Sequence, residues 1–238
     1  MASRPIYQFY AELQDYEPKI WRRFQVMDNT SMARLGYILM TLYEMQASHM
    51  FRLMVPVRNN AKLVRPQTIA PIFSEPVWRF EVDSPTMFST ESDCSFDAAS
   101  YQISDILRGI PGEKLTLVYD FGDEWMVEVK LEAVVRDKEL PGRALPRVLD
   151  GAGYGIIEDC GGAPGLTQLV EAFRRKRGEE YEEYREWLGI DELDLTVFDL
   201  DDMNLRLKRV PRIYMDLYEH GKYPSQRSID FLARKYQQ

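Results

Sequence analysis

Two short stretches hold most of the side chains that could do chemistry: Asp120-Phe121-Gly122-Asp123 and Glu158-Asp159-Cys160-Gly161-Gly162. Asp120, Asp123, Glu158 and Asp159 are hard oxygen donors. If their segments met, they would form an oxygen-rich site for a divalent cation. The Gly-Gly pair allows close backbone approach to such a site. A structural reading competes with this one. Acids placed just before a helix expected over 165–177 favour its positive dipole end, and Asp with Gly is ordinary turn chemistry. The structural reading is the stronger, because nothing in the spacing brings the two segments together.

The other reactive groups are less suggestive. Cys160 could be a nucleophile only with a base beside it, and no Cys-His or Ser-His-Asp spacing is readable. His49 and His220 are the only histidines. One falls at a helix–strand junction and the other beside a helix-ending glycine, so terminal or turn roles are expected for both. Asp120-Phe121-Gly122 spells the magnesium-binding triplet of protein kinases, but the glycine-rich loop, strand lysine and catalytic loop of kinases do not accompany it. Gly151, Gly153 and Gly155 lack the Lys and Ser/Thr of a phosphate loop. No cofactor is expected.

The elements that must position these groups follow from hydrophobic period. Residues 5–13 and 19–26 are aromatic and β-branched around the turn-forming DYEP, and read as strands. DNTS supplies caps for a helix over 31–46, with Met32, Leu35, Leu39, Leu42 and Tyr43 on one face. Residues 48–57 and 76–82 read as further strands, and Asp97 as the cap of a short helix. Residues 115–121 and 125–135 form a hairpin in which Leu115, Leu117, Tyr119 and Phe121 face Trp125, Val127, Val129 and Leu131. A three-residue loop would set Phe121 opposite Trp125 and keep every apolar side chain on one face. Residues 136–165, rich in Gly and Pro, read as a long loop. Helices follow over 165–177 and 181–188, then an acidic extended link over 190–204. Two last helices are expected over 211–220 and 225–236. The fold class is therefore α+β, a mostly antiparallel sheet with one helix packed after the first two strands and a helical C-terminal part.

Composition sets the outer bounds. The chain has 238 residues, 45% hydrophobic and 29% charged, which suits a folded core. Two cysteines exclude a disulfide framework and a four-thiolate zinc site. No apolar run is long enough for a membrane helix, and the N-terminus lacks a signal-like apolar region. A cytoplasmic protein with no membrane partner is expected. The net charge is −8, distributed unevenly. Residues 205–238 hold eight bases and three acids, a local +5, while the other residues carry −13. Nucleic acid is thus a conceivable partner only for the basic C-terminal segment. The chain divides accordingly into a body over 1–204 and an extension over 205–238.

Several motifs in fixed order carry a resemblance. YQFYAELQDYEPKIWRRFQV, a following helix, a His-containing strand start, YDFGDEW and EDCGGAPG together resemble the plasmid pRiA4b ORF-3-like family over about residues 4–203. The family's Tyr-Asp-Phe-Gly-Asp-x-Trp falls on Tyr119, Asp120, Phe121, Gly122, Asp123 and Trp125. Its Glu-Asp-Cys-Gly-Gly falls on Glu158 to Gly162, and its Ile-Trp-Arg on Ile20, Trp21 and Arg22. Many relatives have a histidine where this chain has Val127, and further cysteines or a Pro-Pro where it has Val148, Gly155 and Ile156-Ile157. A zinc set of Cys and His in relatives would lack most of its ligands here. The resemblance implies a compact α+β domain and members on plasmids, transposons and chromosomes. It implies no settled activity.

Three functions of different class are consistent with the sequence. The first is a non-catalytic binding or accessory protein, associated with mobile elements, whose partner is a protein or small molecule and whose candidate loop residues are Asp120, Asp123, Trp125, Glu158, Asp159 and Cys160. The second is DNA binding through a helix-turn-helix-like segment presenting Arg227, Arg234 and Lys235. The third is a divalent-metal enzyme built on Asp120, Asp123, Glu158 and Asp159. The first is favoured, since an acidic body repels nucleic acid and no catalytic spacing is readable.

Overall fold

The computed structural model describes residues 4–56, 77–82 and 95–232. Cys94, Arg234 and Lys235 lie outside these residues. The first strand, β1 (Ile6–Leu13), returns through the DYEP turn as β2 (Trp21–Met27). Helix α1 (Met32–Leu42) starts at Ser31, whose hydroxyl accepts from the Arg34 amide. Strands β3 (Phe51–Pro56), β4 (Val77–Glu81) and β5 (Ser95–Asp97) follow, then the short helix α2 (Ile103–Ile106). The hairpin β6 (Lys114–Tyr119) and β7 (Trp125–Val135) comes next, then β8 (Arg147–Ala152). The chain closes with α3 (Gly162–Arg175), α4 (Glu179–Leu188), α5 (Leu200–Leu207), α6 (Val210–Tyr218) and α7 (Gln226–Leu232).

Among the described residues, eight strands form one sheet in the order β5-β4-β3-β6-β7-β1-β2-β8. Every pairing is antiparallel except the short β4–β5 pair. This is the α+β, mostly antiparallel architecture that the strand and helix periods imply. Period-2 patterning assigns one face to the core: Phe9, Ala11 and Leu13 of β1, Leu53 and Val55 of β3, Leu115 and Leu117 of β6, and Val127 and Val129 of β7 are all buried. The other face carries Gln8, Tyr10, Arg23, Lys130 and Glu132, which are half-buried or exposed.

Helix α1 is buried nearly all round rather than along one stripe. Tyr37, Ile38 and Met40 are as inaccessible as the expected Leu35, Leu39 and Leu42. The cause is a third layer: α5 and α6 pack against α1 on the side away from the sheet. Leu207, Val210, Tyr214 and Tyr218 enter the same core as the sheet residues. The 204/205 division expected from charge falls inside α5.

The structure corrects the sequence reading in four places. Tyr119, not Phe121, sits opposite Trp125, and Leu117 faces Val127, so the hairpin loop has five residues. The register moves by two, which keeps the apolar face inward. The reason is that the Asp120 amide donates to the Met50 carbonyl and its own carbonyl accepts from Glu124, so β6 ends two residues earlier than expected while β7 still begins at Trp125. Second, the 136–165 stretch contains β8, which pairs with β2. Its period is hidden because this edge strand buries fully only Val148. The outer edge of β8 is sealed by Asn204, whose amide accepts from the Val148 N–H and donates to the Val148 carbonyl, both at 3.0 Å. Third, the link over 190–204 ends as α5, capped by Asp199. Fourth, Asp97 closes a turn by accepting from Ala99 and Ser100, and α2 begins only after Gln102.

The tyrosines make the first expected result. Burial, the largest cause in each case, raises the hydroxyl pKa of Tyr37, Tyr43, Tyr119, Tyr214 and Tyr218 well above the ordinary value. A group whose pKa is raised on folding adds stability that is complete below its unfolded value and is lost as pH climbs above it. The urea midpoint should therefore hold from neutral pH to about 10 and fall steeply beyond it. Tyrosinate absorbance should appear together with unfolding. Free titration of all the tyrosines near pH 10 in the folded protein would contradict this.

No helix among the described residues is long and apolar enough to cross a membrane.

Candidate functional site

One end of the sheet gathers three loops: the α1–β3 connection with His49, the β6–β7 loop 120–124, and the segment 158–162 that leads into α3. Each is held in place by a specific group. Glu158 is buried and accepts from the Gln46 amide at 2.7 Å, from the Ser48 hydroxyl and from the Tyr119 hydroxyl. From the helical layer, the Tyr214 hydroxyl donates to the Met45 carbonyl and the Tyr218 hydroxyl to that of His49. The 44–50 loop is therefore pinned from below by 119 and 158 and from the side by α6.

The two carboxylate segments meet. The Asp123 carboxylate accepts from the Gly161 amide at 3.1 Å. Gly162 lies with φ 71° against the Asp123 carbonyl, where any Cβ would collide. Gly165 abuts the Cys160 carbonyl so closely that a Cβ there would overlap it. These contacts explain why the stretch needs its glycines. Asp120, Glu124 and Asp159 each adopt a left-handed backbone, φ 55°, 55° and 61°, which Asp tolerates better than most residues. The Asp120 carboxylate steadies its turn by accepting from Gly122 at 3.0 Å.

The result sorts the candidate residues. Trp125 is buried and serves the core. Glu158 is turned inward and Asp123 is a loop clamp. Burial, with Asp123 and Asp159 nearby, pushes the Cys160 thiol up to about 12, so it is protonated at neutral pH and packs against the core. What faces outward is His49 between two acids. Its Nδ1 lies 3.5 Å from Asp120 Oδ2 and its Nε2 3.2 Å from Asp159 Oδ1. Ligand atoms of these three residues all lie within 4.8 Å of one another. The oxygen-only set expected over Asp120, Asp123, Glu158 and Asp159 is thus not what the fold assembles. His49 replaces Asp123 and Glu158. Its only signal in the sequence is its place directly before β3. Beside this group, Phe121 is 46% exposed and carries the Arg52 guanidinium 3.8 Å from its ring centre.

The Ile-Trp-Arg element is placed elsewhere, and Arg22 is fully buried. Its guanidinium donates to the carbonyls of Trp21, Leu42, Ala152, Gly153 and Tyr154. It lies 4.1 Å from the Phe198 ring centre and 5.4 Å from that of Tyr43. This joins β2, the end of α1, β8 and the acidic link, and is an organiser of the fold.

In the C-terminal segment, α6 contributes Tyr214 and Tyr218 to the core, while Arg227 is exposed on α7. Arg206 is buried, forms an ion pair with Glu44 at 3.2 Å, and donates to the Phe231 carbonyl at 2.8 Å.

The arrangement of motifs along the chain decides its kinship. The profile of the plasmid pRiA4b ORF-3-like protein family matches residues 5–206. The chain belongs to that family. A curated relative, the uncharacterized protein y4hQ of Sinorhizobium fredii, is 27% identical over 112 residues, which are 47% of this chain and 56% of the relative. The chain thus spans about half the length of the curated relative it matches. A crystal structure of a protein of unknown function, MM3350 from Methanosarcina mazei Go1, aligns with a TM-score of 0.65 at 23% identity. It covers 84% of this chain and 97% of that one, and the likeness extends to the fold alone. The family match ends inside α5, so α6 and α7 lie beyond it.

Proposed function

We propose that this chain is a non-catalytic binding protein whose recognition surface is the sheet end bearing His49, Asp120, Phe121 and Asp159. The observation that carries the reading is the division of labour in the three loops. Glu158, Tyr119, Ser48 and Asp123 are committed to holding the loops, and His49, Asp120 and Asp159 form a preorganised polar rim next to an exposed aromatic ring. A rigid surface of this kind spends little ordering entropy on binding. The plasmid reading frame in the family's name is in keeping with an accessory role. The test is site-specific photocrosslinking in the source cells, with a photoreactive side chain replacing Phe121 and, as control, Lys130 on the open sheet face. A discrete adduct is expected from position 121 and not from 130, and it should disappear when Asp159→Arg reverses the rim charge. Equal labelling at the two positions would overturn the reading.

The His49–Asp120–Asp159 grouping supports a second reading, a divalent-cation site in which one imidazole nitrogen coordinates and the other is oriented by a carboxylate. Calorimetric titration of Mn²⁺ or Mg²⁺ into the full chain decides it. Heat that is lost in both His49→Ala and Asp120→Ala supports the site, and its absence removes it.

A further inference from the structure

The strongest charge feature of the molecule lies outside the rim. Residues 179–202, α4 and the link to α5, hold eleven acids and one base, a local charge of −10 against −8 for the whole chain. Helix α4 buries only Tyr181, which packs edge-on against Phe173. Its outer side exposes Glu179, Glu183 and Glu186. Its single base, Arg185, is occupied by Glu182 and Asp191, both at 2.6 Å. Among these acids stands Trp187, 48% exposed, with the Tyr184 ring centre 6.3 Å away. Val197 and Leu200 in the same stretch are also exposed. Arg175 and Lys176, just before α4, pair with Glu180 and Glu192, which leaves Glu183, one helical turn from Trp187, with the exposed ring. An exposed aromatic ring beside a carboxylate fits a cationic side chain, which the ring face and the acid attract together.

The complementary surface is in the same chain. The inner half of the +5 segment sends Arg206, Tyr214 and Tyr218 into the core, while Lys208, Arg209 and Arg212 are exposed. The outer part, 222–229, is mostly exposed. Lys222, Tyr223 and Arg227 are exposed, Tyr223 at 84%, and Ile229 is exposed on α7. This surface mixes bases with an aromatic and an aliphatic group, as the α4 surface mixes acids with Trp187, Val197 and Leu200.

We infer that two copies of this chain associate by reciprocal exchange of these surfaces, the 222–229 segment of each seated on the Glu183–Trp187 face of the other's α4. Two identical contacts related by a twofold axis close the assembly, so the charge complementarity does not run on into a filament. The contact is electrostatic in large part, and salt should weaken it.

Sedimentation velocity on the full-length protein over a concentration series tests this. At low ionic strength a monomer–dimer equilibrium is expected, shifted to monomer at about 0.5 M salt. Glu183→Lys and Arg227→Glu, both at exposed positions, should each raise the dissociation constant at least tenfold. The double variant, which restores opposite charges across the contact, should recover most of that loss. Trp187→Ala should weaken the dimer even at high salt. A monomer at all concentrations, or a dimer indifferent to salt and to these changes, would overturn the inference. The rim variant Asp159→Arg should leave the dimer unaffected, which separates this test from that of the recognition surface.

Discussion

Arg22→Met is expected to cost about 3–5 kcal/mol of folding stability. The methionine keeps the length and apolar contacts of the side chain but no donor. Five carbonyls lose their partner at once, those of Trp21, Leu42, Ala152, Gly153 and Tyr154. Leu42 is the last residue of α1, where the carbonyl dipoles point outward with no intrahelical donor. A guanidinium is suited to this place because its fixed fork of five N–H groups meets several acceptors in one plane, while its faces stack on Phe198 and Tyr43. Lysine offers one compact charge and cannot span both strands, so Arg22→Lys should fall between the methionine variant and the native protein. Urea unfolding measures both. A methionine variant within about 1 kcal/mol of native stability would show that water or backbone shifts satisfy these carbonyls.

Glu158→Ala is expected to cost about 3 kcal/mol and to loosen the recognition rim as well. It removes a buried carboxylate that collects the Gln46 amide, the Ser48 hydroxyl and the Tyr119 hydroxyl. These are charge-assisted hydrogen bonds in a site with little water to replace them. Glu158→Gln keeps one acceptor oxygen and should cost about half as much. Hydrogen exchange supplies the second readout. The amides of Gln46 and His49 should lose protection in the alanine variant, since the His49 N–H also leans on the Tyr119 hydroxyl, at 3.3 Å. An alanine variant of unchanged stability and unchanged exchange would mean that α6, through Tyr214 and Tyr218, holds the 44–50 loop unaided.

Much of the architecture could be read from sequence because it rests on short-range period. Alternating apolar residues in β1, β3, β6 and β7, the Ser31 cap and the stripe of α1 each specify an element and the face it buries. Where local signals fail, a partner distant in sequence is the cause. The turn at Asp120 is set by the Met50 carbonyl, so the hairpin register could not follow from its own residues. Strand β8 shows little alternation because it lies at an edge, its outer side closed by Asn204. The full burial of α1 depends on α6, more than 160 residues further along.

The site follows the same division. The types and positions of Asp120, Asp123, Glu158, Asp159 and the glycines at 161 and 162 are fixed by sequence, and so is their suitability for turns and close approach. Their chemical roles were decided only by tertiary contacts. Folding turned Glu158 inward onto Tyr119, tied Asp123 to Gly161 and set His49 between Asp120 and Asp159. A carboxylate has the same charge and the same two oxygens whether it clamps a loop or faces a ligand. What separates the roles is how many donors the fold brings to those oxygens and whether water still reaches them, and both are properties of segments 38 to 112 residues apart along the chain.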